Sequence, residues 1–167
     1  SNVFKPKGHG SDSRFYVGYS GSKSHDWRKG VSKYIVPATK KSGAKIKIAM
    51  LSTGNYVPME EMPSFYGGLH VYVCASSSEG FSLSVLEAAS CGVPIITTRV
   101  GGMKELIEDG KNGFLVDRDV NSISDKIALL KNDRDLLNLM SKNMRNSIKE
   151  SWCWSKRVKE WMIFLKK

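Results

Sequence analysis

The sequence predicts an α/β domain, a Rossmann-like parallel sheet with helices on both faces, and three observations carry that expectation. The short runs KIKIAML (45–51), LHVYVCAS (69–76) and VPIITTR (93–99) are nearly continuously apolar, as strands covered on both faces must be. Segments of helical spacing alternate with them, which is the signature of parallel strands joined by crossovers. The length of 167 residues and a hydrophobic content of 41% suit one such domain with a core of its own.

The elements follow in order. Residues 1–13 (SNVFKPKGHGSDS) are polar and rich in Gly, Ser and Pro, so we expect a tail or linker there and the domain over 14–167. RFYVGYSG (14–21) is a strand ending in a glycine turn. From Trp27 to Lys41 the spacing of Val31, Tyr34, Ile35 and Ala38 suits a helix that Pro37 kinks or shortens, with Gly43 as its stop. PMEEMPSFYGG (58–68) is a short helix closed by Gly67 and Gly68, and Ser82 to Cys91 is a helix capped by Ser82. MKELIEDGKNG (103–113) is a short helix closed by glycine, and FLVD (114–117) is a brief strand. Beyond Val120 the pattern is helical, with one stripe of Ile123, Ile127 and Leu130 and a second of Leu136, Leu139, Met140 and Met144.

Composition narrows the partners. The 26 basic and 16 acidic residues give a net charge of +10, which favours anionic ligands. Cys74, Cys91 and Cys153 are odd in number and widely spaced, so free thiols in a reducing, cytoplasmic compartment are expected rather than a zinc site. No apolar run approaches the roughly 18 residues of a membrane span, and no secretory signal pattern is present. The opening Ser1-Asn2, without a methionine, fits a piece excised from a longer protein.

The chemistry concentrates in EGFSLSVLEAASCGVP (79–94). Glu87 sits in an alanine-rich helix with no lysine or arginine at the neighbouring turns, and a carboxylate in apolar surroundings calls for a ligand or a distant partner. Ligands of parallel α/β sheets bind outside the carboxyl ends of the strands, where the loops after residues 19, 52, 76 and 98 gather. The amides of Phe81 to Val85 open the helix towards that rim and favour an anion there, while Gly80 lets the backbone come close. Glu79 precedes the helix and Glu87 lies roughly 7 Å along its axis. One carboxylate can meet hydroxyls on each side of bound phosphates, and ribose–diphosphate–sugar has that layout.

The segment 57–119 resembles the donor-binding half of retaining glycosyltransferases with the two-domain GT-B fold, the large family 4 (group 1). The resemblance rests on an ordered string: Glu79, Gly80, Phe81, Ser82, Leu83, Glu87, Ala88, Gly92 and Pro94, then Gly101, Gly102 and Glu105, then Gly113, Leu115 and Val116. It implies a single domain equivalent to the C-terminal half of such an enzyme. Glu79 would bind hydroxyls of the transferred sugar, as the catalytic carboxylate, and Glu87 the ribose. Gly80, Phe81, Ser82 and Leu83 would meet the diphosphate, with Ser76 beside them in the same loop. Lys29, in Lys29-Gly30, matches the family's phosphate-binding lysine, and Asn55 and Tyr56 fall where family members contact the base. The arginine expected after the first strand is absent: Tyr19 and Ser20 stand there, and Arg28 or Lys23 are the cations near enough to compensate. Segment 44–58 is short, as though one strand–helix unit were trimmed.

Simpler alternatives stand beside these roles: a turn carboxylate for Glu79, an ion pair to a distant lysine for Glu87, and a solvated helix-end lysine for Lys29. Asp117-Arg118-Asp119 and Asp133-Arg134-Asp135 spell D-x-D, but the first follows the last short strand and the second caps or begins a helix, both expected away from the rim. The resemblance implies no metal and no cofactor. His70 is expected to be structural. The absence of G-x-G-x-x-G after the first strand argues against a dinucleotide oxidoreductase, and the absence of G-x-x-x-x-G-K-(S/T) excludes a P-loop enzyme. The tail SWCWSKRVKEWMIFLKK (151–167) is aromatic and basic, with Trp154, Val158, Trp161 and Leu165 at helical spacing. It reads as a final helix covering the sheet, against the rivals of a peripheral membrane contact at the inner face and, by the resemblance, an interface lacking its partner domain.

The expected function is transfer of a hexosyl unit from a nucleotide-diphosphate sugar to a glycan or lipid-linked acceptor in polysaccharide biosynthesis. The base is open. An N-terminal acceptor-binding domain or a partner chain is missing, so the isolated domain should be inactive. The rival is a non-catalytic docking or sugar-nucleotide-sensing module, and no nucleic-acid motif accompanies the positive charge.

Overall fold

The computed structural model describes residues 3–4, 14–51 and 54–165. Five parallel strands form one sheet: β1 (Tyr16–Ser22), β2 (Lys45–Leu51), β3 (Val71–Cys74), β4 (Ile95–Thr98) and β5 (Gly113–Val116), in the order β2-β1-β3-β4-β5. Each strand sits within two residues of the stretch that its apolar run marks, so the parallel α/β expectation holds. The chain leaves β1 to one side for β2 and returns to the other side for β3. Neighbouring loops diverge at that reversal and open a crevice there.

Side chains alternate across β1. Phe15, Val17 and Tyr19 pack under α6 (Val120–Asn132), joined there by Val31, Ile35 and Ala38. Tyr66, Leu69, Tyr72, Val85, Ala88 and Ala89 fill the opposite face beneath α4 (Leu83–Ser90), joined by Met144 of α7 (Arg134–Ser147), whose Leu137 and Met140 belong to the first face. The Ile123, Ile127 and Leu130 stripe of α6 is fully buried, each side chain contributing about 1.5–3 kcal/mol. On α7 the stripe differs from the expected one: Leu137, Met140 and Met144 are buried, whereas Leu139 is exposed. Leu136 and Leu137 are adjacent, and packing against the core, not the spacing alone, decides which faces inward.

The single helix expected over 27–41 is broken. α1 (Asp26–Lys29) ends at Gly30 with φ 71°, a wide turn follows over Val31–Ile35, and α2 (Val36–Lys41) carries Pro37 in its first turn. Pro37 begins a helix there, where its missing N–H costs nothing, and the break belongs to Gly30. From β2 the chain returns through residues 54–61 and α3 (Met62–Gly67) directly to β3. β2 is therefore a sheet edge, and the exposed Lys45 guards it against further pairing. The expected tail lies outside the described residues apart from Val3 and Phe4, and Phe4 is tied down. Its carbonyl accepts from Arg145 at 3.2 Å and its ring centroid lies 6.0 Å from that of Tyr66. Ser52, expected at the rim, also lies outside them.

The last helix, α8 (Trp154–Leu165), overturns an expectation. None of its residues is buried, and Trp154, Val158, Trp161 and Leu165 are 79%, 45%, 60% and 74% exposed. The sheet faces are already covered by α2, α4, α6 and α7, so α8 has no place left on this domain and stands out as an apolar, basic arm. Among the described residues no helix is long and apolar enough to cross a membrane.

Candidate functional site

A cleft of about 510 Å³ opens at the carboxyl ends of β1 and β3, at the reversal of strand order. Ser20, Gly21 and Ser22 form one wall, and Phe81, Ser82, Leu83, Ser84 and Glu87 form the other. Arg28, Lys29 and Glu79 close one end, while Tyr56, Val57, Met59 and Met62 close the other.

α4 follows β3 through residues 75–82, and its amino end faces the cleft. Ser82 occupies the capping position, yet its side chain makes no capping bond; its hydroxyl lies 3.0 Å from that of Ser84 instead. The expected Ser82 cap is thus corrected. The first amides of α4 have no intrahelical acceptor and remain a place for an anion. The turn before α4 is held from behind. Gly102 N–H donates to the Gly80 carbonyl at 2.9 Å, and Gly101 adopts φ 48°. A Cβ on Gly101 would run into the carbonyl oxygens of Glu79 and Gly80, and one on Gly102 into the Phe81 ring. Only this pair of glycines lets the β4 loop lie so close beneath the Glu79–Phe81 turn.

Glu79 is not a plain turn carboxylate. Lys29 Nζ and Ser76 Oγ (2.6 Å) both donate to its Oε1, and Arg28 Nη1 lies 3.5 Å from Oε2. Its side chain is only 8% exposed. Burial alone would raise its pKa, but hydrogen bonds from Lys29 and Ser76 and the charges of Lys29 and Arg28 outweigh that and hold it below the usual glutamate range. Lys29 is likewise not solvated. Of the two cations considered as replacements for the absent arginine, Arg28 lines the cleft, with Nη1 donating to the Ser78 carbonyl at 2.7 Å, whereas Lys23 does not line it. Tyr19, at the arginine's position, turns into the core. Burial pushes its hydroxyl pKa up, and that hydroxyl has no hydrogen-bond partner among the described residues. Ser20 takes the cleft side.

Glu87 has a partner, and it is not a cation. Tyr66 donates its hydroxyl to Glu87 Oε2 at 2.8 Å, and Ser20 Oγ lies 2.8 Å from the same hydroxyl. Because Tyr66 spends its one proton on Glu87, Ser20 is the donor in that second contact. Tyr72 continues the network through Ser20 (3.1 Å) and Ser84 (3.0 Å), its own pKa pushed by burial to about 12. The pKa of Tyr66 is raised too, chiefly by burial and then by the neighbouring Tyr72, so Tyr66 and Tyr72 are neutral donors at pH 7. Among the described residues no lysine or arginine pairs with Glu87.

The remaining expected residues divide. Tyr56 lines the cleft and is 58% exposed. Asn55 does not line it; its carbonyl accepts from Met50 N–H at 3.0 Å. Ser76 is fully buried and acts on Glu79, and Gly80 supports the turn by its carbonyl. Asp119 caps α6 through the amides of Asn121 and Ser122, and Asp133 caps α7 through that of Leu136, so both D-x-D strings are helix starts. The first, however, is not away from the rim, since Arg118 bonds the Ala75 carbonyl just past β3. His70 is buried, stacked on Phe15 at 4.8 Å with Nδ1 accepting from Tyr16 N–H at 3.0 Å. Among the described residues no cluster of three or more His, Cys, Asp or Glu side chains suits a metal. Tyr66, the partner of Glu87, went unmarked in the sequence, because no local spacing links positions 66 and 87.

Residues 39–147 match the family model described as Glycosyl transferases group 1. The chain belongs to this family. Among its curated relatives, a trehalose synthase of Thermococcus litoralis is 33% identical over 132 residues, which are 79% of this chain and 32% of that protein. The N-acetyl-alpha-D-glucosaminyl L-malate synthase of Bacillus anthracis is 38% identical over 87 residues, 52% of this chain and 23% of its own. The chain thus spans about a third or less of the curated relatives it matches. Solved glycosyltransferases share the fold. The sucrose-phosphate synthase of Thermosynechococcus elongatus superposes with a TM-score of 0.80 at 19% identity, over 99% of this chain and 50% of that one. The C-terminal domain of a group 1 glycosyltransferase from Francisella tularensis does so with a TM-score of 0.68 at 22% identity, over 92% and 97% of the two chains. This group 1 glycosyltransferase chain has the five-stranded Rossmann-like fold of GT-B C-terminal domains.

Proposed function

We propose that this chain is the donor-binding half of a retaining, family 4 hexosyltransferase that takes its sugar from a nucleoside diphosphate. The supporting observation is the convergence of Glu79, Glu87, Arg28, Lys29 and the amino end of α4 on one cleft. In this reading Glu87 accepts from ribose hydroxyls, and the α4 amides of Phe81, Ser82 and Leu83 meet the diphosphate with Lys29. Glu79, with Ser76 and Gly80 shaping its turn, accepts from hydroxyls of the transferred sugar. Tyr56 lies against the base, with Asn55 holding the loop beneath it. Transfer breaks the bond between the anomeric carbon and the diphosphate oxygen, which keeps the electron pair. The acceptor hydroxyl forms the new bond and gives up its proton to the departing diphosphate oxygen. Positioned cations and amides lower the barrier by stabilising the negative charge that grows on the departing diphosphate.

The acceptor, a glycan or a lipid-linked sugar of polysaccharide biosynthesis, belongs to a domain or partner chain beyond these residues. The bare apolar arm of α8 supports that reading, since a face of this size calls for cover. We assign it to the acceptor-binding protein, and recruitment to anionic vesicles is the outcome that would instead place it on a membrane. Cys74 and Cys153, in no disulfide among the described residues, fit a cytoplasmic setting. A neighbour, HepE of Anabaena, was solved with UDP and glucose, and a plant starch synthase IV with ADP and acarbose, so the base is a matter for measurement.

Calorimetry with UDP, GDP and ADP, free and sugar-bearing, tests the proposal. One base should bind, with the sugar form tighter, and no sugar transfer should occur without an added acceptor domain. Binding of none of them would leave a docking module as the better description.

A further inference from the structure

We infer that Arg118 is a positioning residue that fixes Arg28 and Lys29 against Glu79 by clamping the backbone of their short helix to the end of β3. The inference rests on the donor-binding reading for its consequence but not for its geometry. Arg118 lies in the turn between β5 and α6 and does not line the cleft. Its Nε donates to the Ala75 carbonyl at 2.8 Å, just past β3, and its Nη2 to the Arg28 carbonyl at 2.9 Å, with the Trp27 carbonyl at 3.4 Å. The guanidinium also rests on the Tyr34 ring, Cζ 4.6 Å from its centroid. One rigid fork therefore joins three segments that are distant in the chain, a task that its planar set of donors suits.

The clamp is needed because α1 is only four residues long and cannot hold its own shape. The carbonyls of Trp27 and Arg28 are the unsatisfied end of that helix, where a cation is favoured. Ser77 N–H adds a second donor to the Arg28 carbonyl at 2.9 Å. The chain then turns at Gly30, where a Cβ would meet Tyr34 at 2.6 Å, the Ala75 carbonyl at 3.0 Å and Arg118 Nη2 at 3.2 Å. Lys29 is thus pinned between the clamp and the left-handed turn, with its ammonium aimed at Glu79. The flanking Asp117 and Asp119 do not compete for Arg118, since among the described residues neither forms an ion pair with it and Asp119 caps α6.

The test uses the free chain first. The Glu79 carboxyl, assigned by its loss in Glu79→Gln, is titrated by NMR in wild type, Arg118→Ala, Arg118→Lys and Tyr34→Leu. In Arg118→Ala the Glu79 midpoint should rise towards its ordinary 4.5 as Lys29 drifts away, with circular dichroism unchanged. Arg118→Lys, which lacks the fork, should shift it part-way, and it serves as the readout if Arg118→Ala does not fold. Tyr34→Leu should leave it near the wild-type value, since the carbonyl bonds persist. Affinity for the nucleoside diphosphate that wild type binds should fall about tenfold in Arg118→Ala, within the range of coupling in one hydrogen-bonded network. In a Lys29→Ala background that loss should shrink to the part carried by Arg28. An unmoved Glu79 titration in folded Arg118 variants would overturn the inference, as would an affinity loss of full size in the Lys29→Ala background. If wild type binds no nucleotide, the donor-binding reading fails, while the Glu79 titration still decides the role of Arg118.

Discussion

The Tyr66 hydroxyl reaches 2.8 Å across the cleft floor to Glu87, joining the end of α3 to the middle of α4. A carboxylate in an alanine-rich helix thereby meets a neutral donor through one of its oxygens. Tyr66→Phe should remove that donor, leave Glu87 and Ser20 short of a partner, and cost about 1–3 kcal/mol of stability. Denaturant melts read this directly. An unchanged midpoint would show that water replaces the hydroxyl without loss.

Glu87→Gln should separate binding from folding. The Gln carbonyl can still accept from Tyr66, so the melting temperature should hold. The charged acceptor for ribose hydroxyls is lost, and affinity for nucleotide should fall by about 1–3 kcal/mol. Glu79→Gln should behave differently, with free nucleoside diphosphate bound nearly as before and the preference for the sugar-bearing form reduced. Calorimetry on both variants checks the pair, and a Glu87→Gln variant that loses stability alone would return Glu87 to a structural role.

Glu79 also predicts how stability depends on pH. Its folded-state pKa lies below the ordinary 4.5, so the charged form is favoured in the fold. The contribution is fully present above 4.5 and is lost as pH falls through the lower folded-state value. The gap in unfolding free energy between wild type and Glu79→Gln should be about 1–2 kcal/mol at pH 7 and shrink steadily below 4.5. Urea titrations across that range measure it, and a gap independent of pH would mean that the Lys29 contact contributes nothing.

The backbone plan was legible because apolar strands and their spacing report burial on both faces, which depends on sequence neighbours alone. The pair Glu79 and Glu87 was legible for a related reason, since one loop and one helix carry both. What sequence could not show was contact between distant segments. Tyr66 meets Glu87 only because α3 and α4 pack side by side, and Arg118, read as part of a D-x-D string, reaches Ala75 and Arg28 only because β5 and β3 end on the same rim. The α8 arm was misjudged on similar grounds. Its stripe of Trp154, Val158, Trp161 and Leu165 reports an apolar face, but not whether any surface of this domain is left to receive it.

The glycine pair behind the Glu79–Phe81 turn supplies the last prediction. Gly101 and Gly110 both have positive φ, 48° and 79°, so alanine at either position carries a backbone penalty of about 1–2 kcal/mol. Their surroundings differ. A Cβ at Gly110 meets nothing within 4 Å, whereas one at Gly101 collides with the Glu79 and Gly80 carbonyls, and backbone cannot step aside as a flexible side chain can. Gly110→Ala should therefore lower stability by the conformational term alone and leave nucleotide-sugar affinity intact. Gly101→Ala should cost more stability and also weaken the sugar-bearing ligand, because the turn that aims Glu79 must move. Melting curves and calorimetry on the two variants read both effects. Equal losses of stability with no change in affinity would show that the turn holds its shape without the close approach from β4.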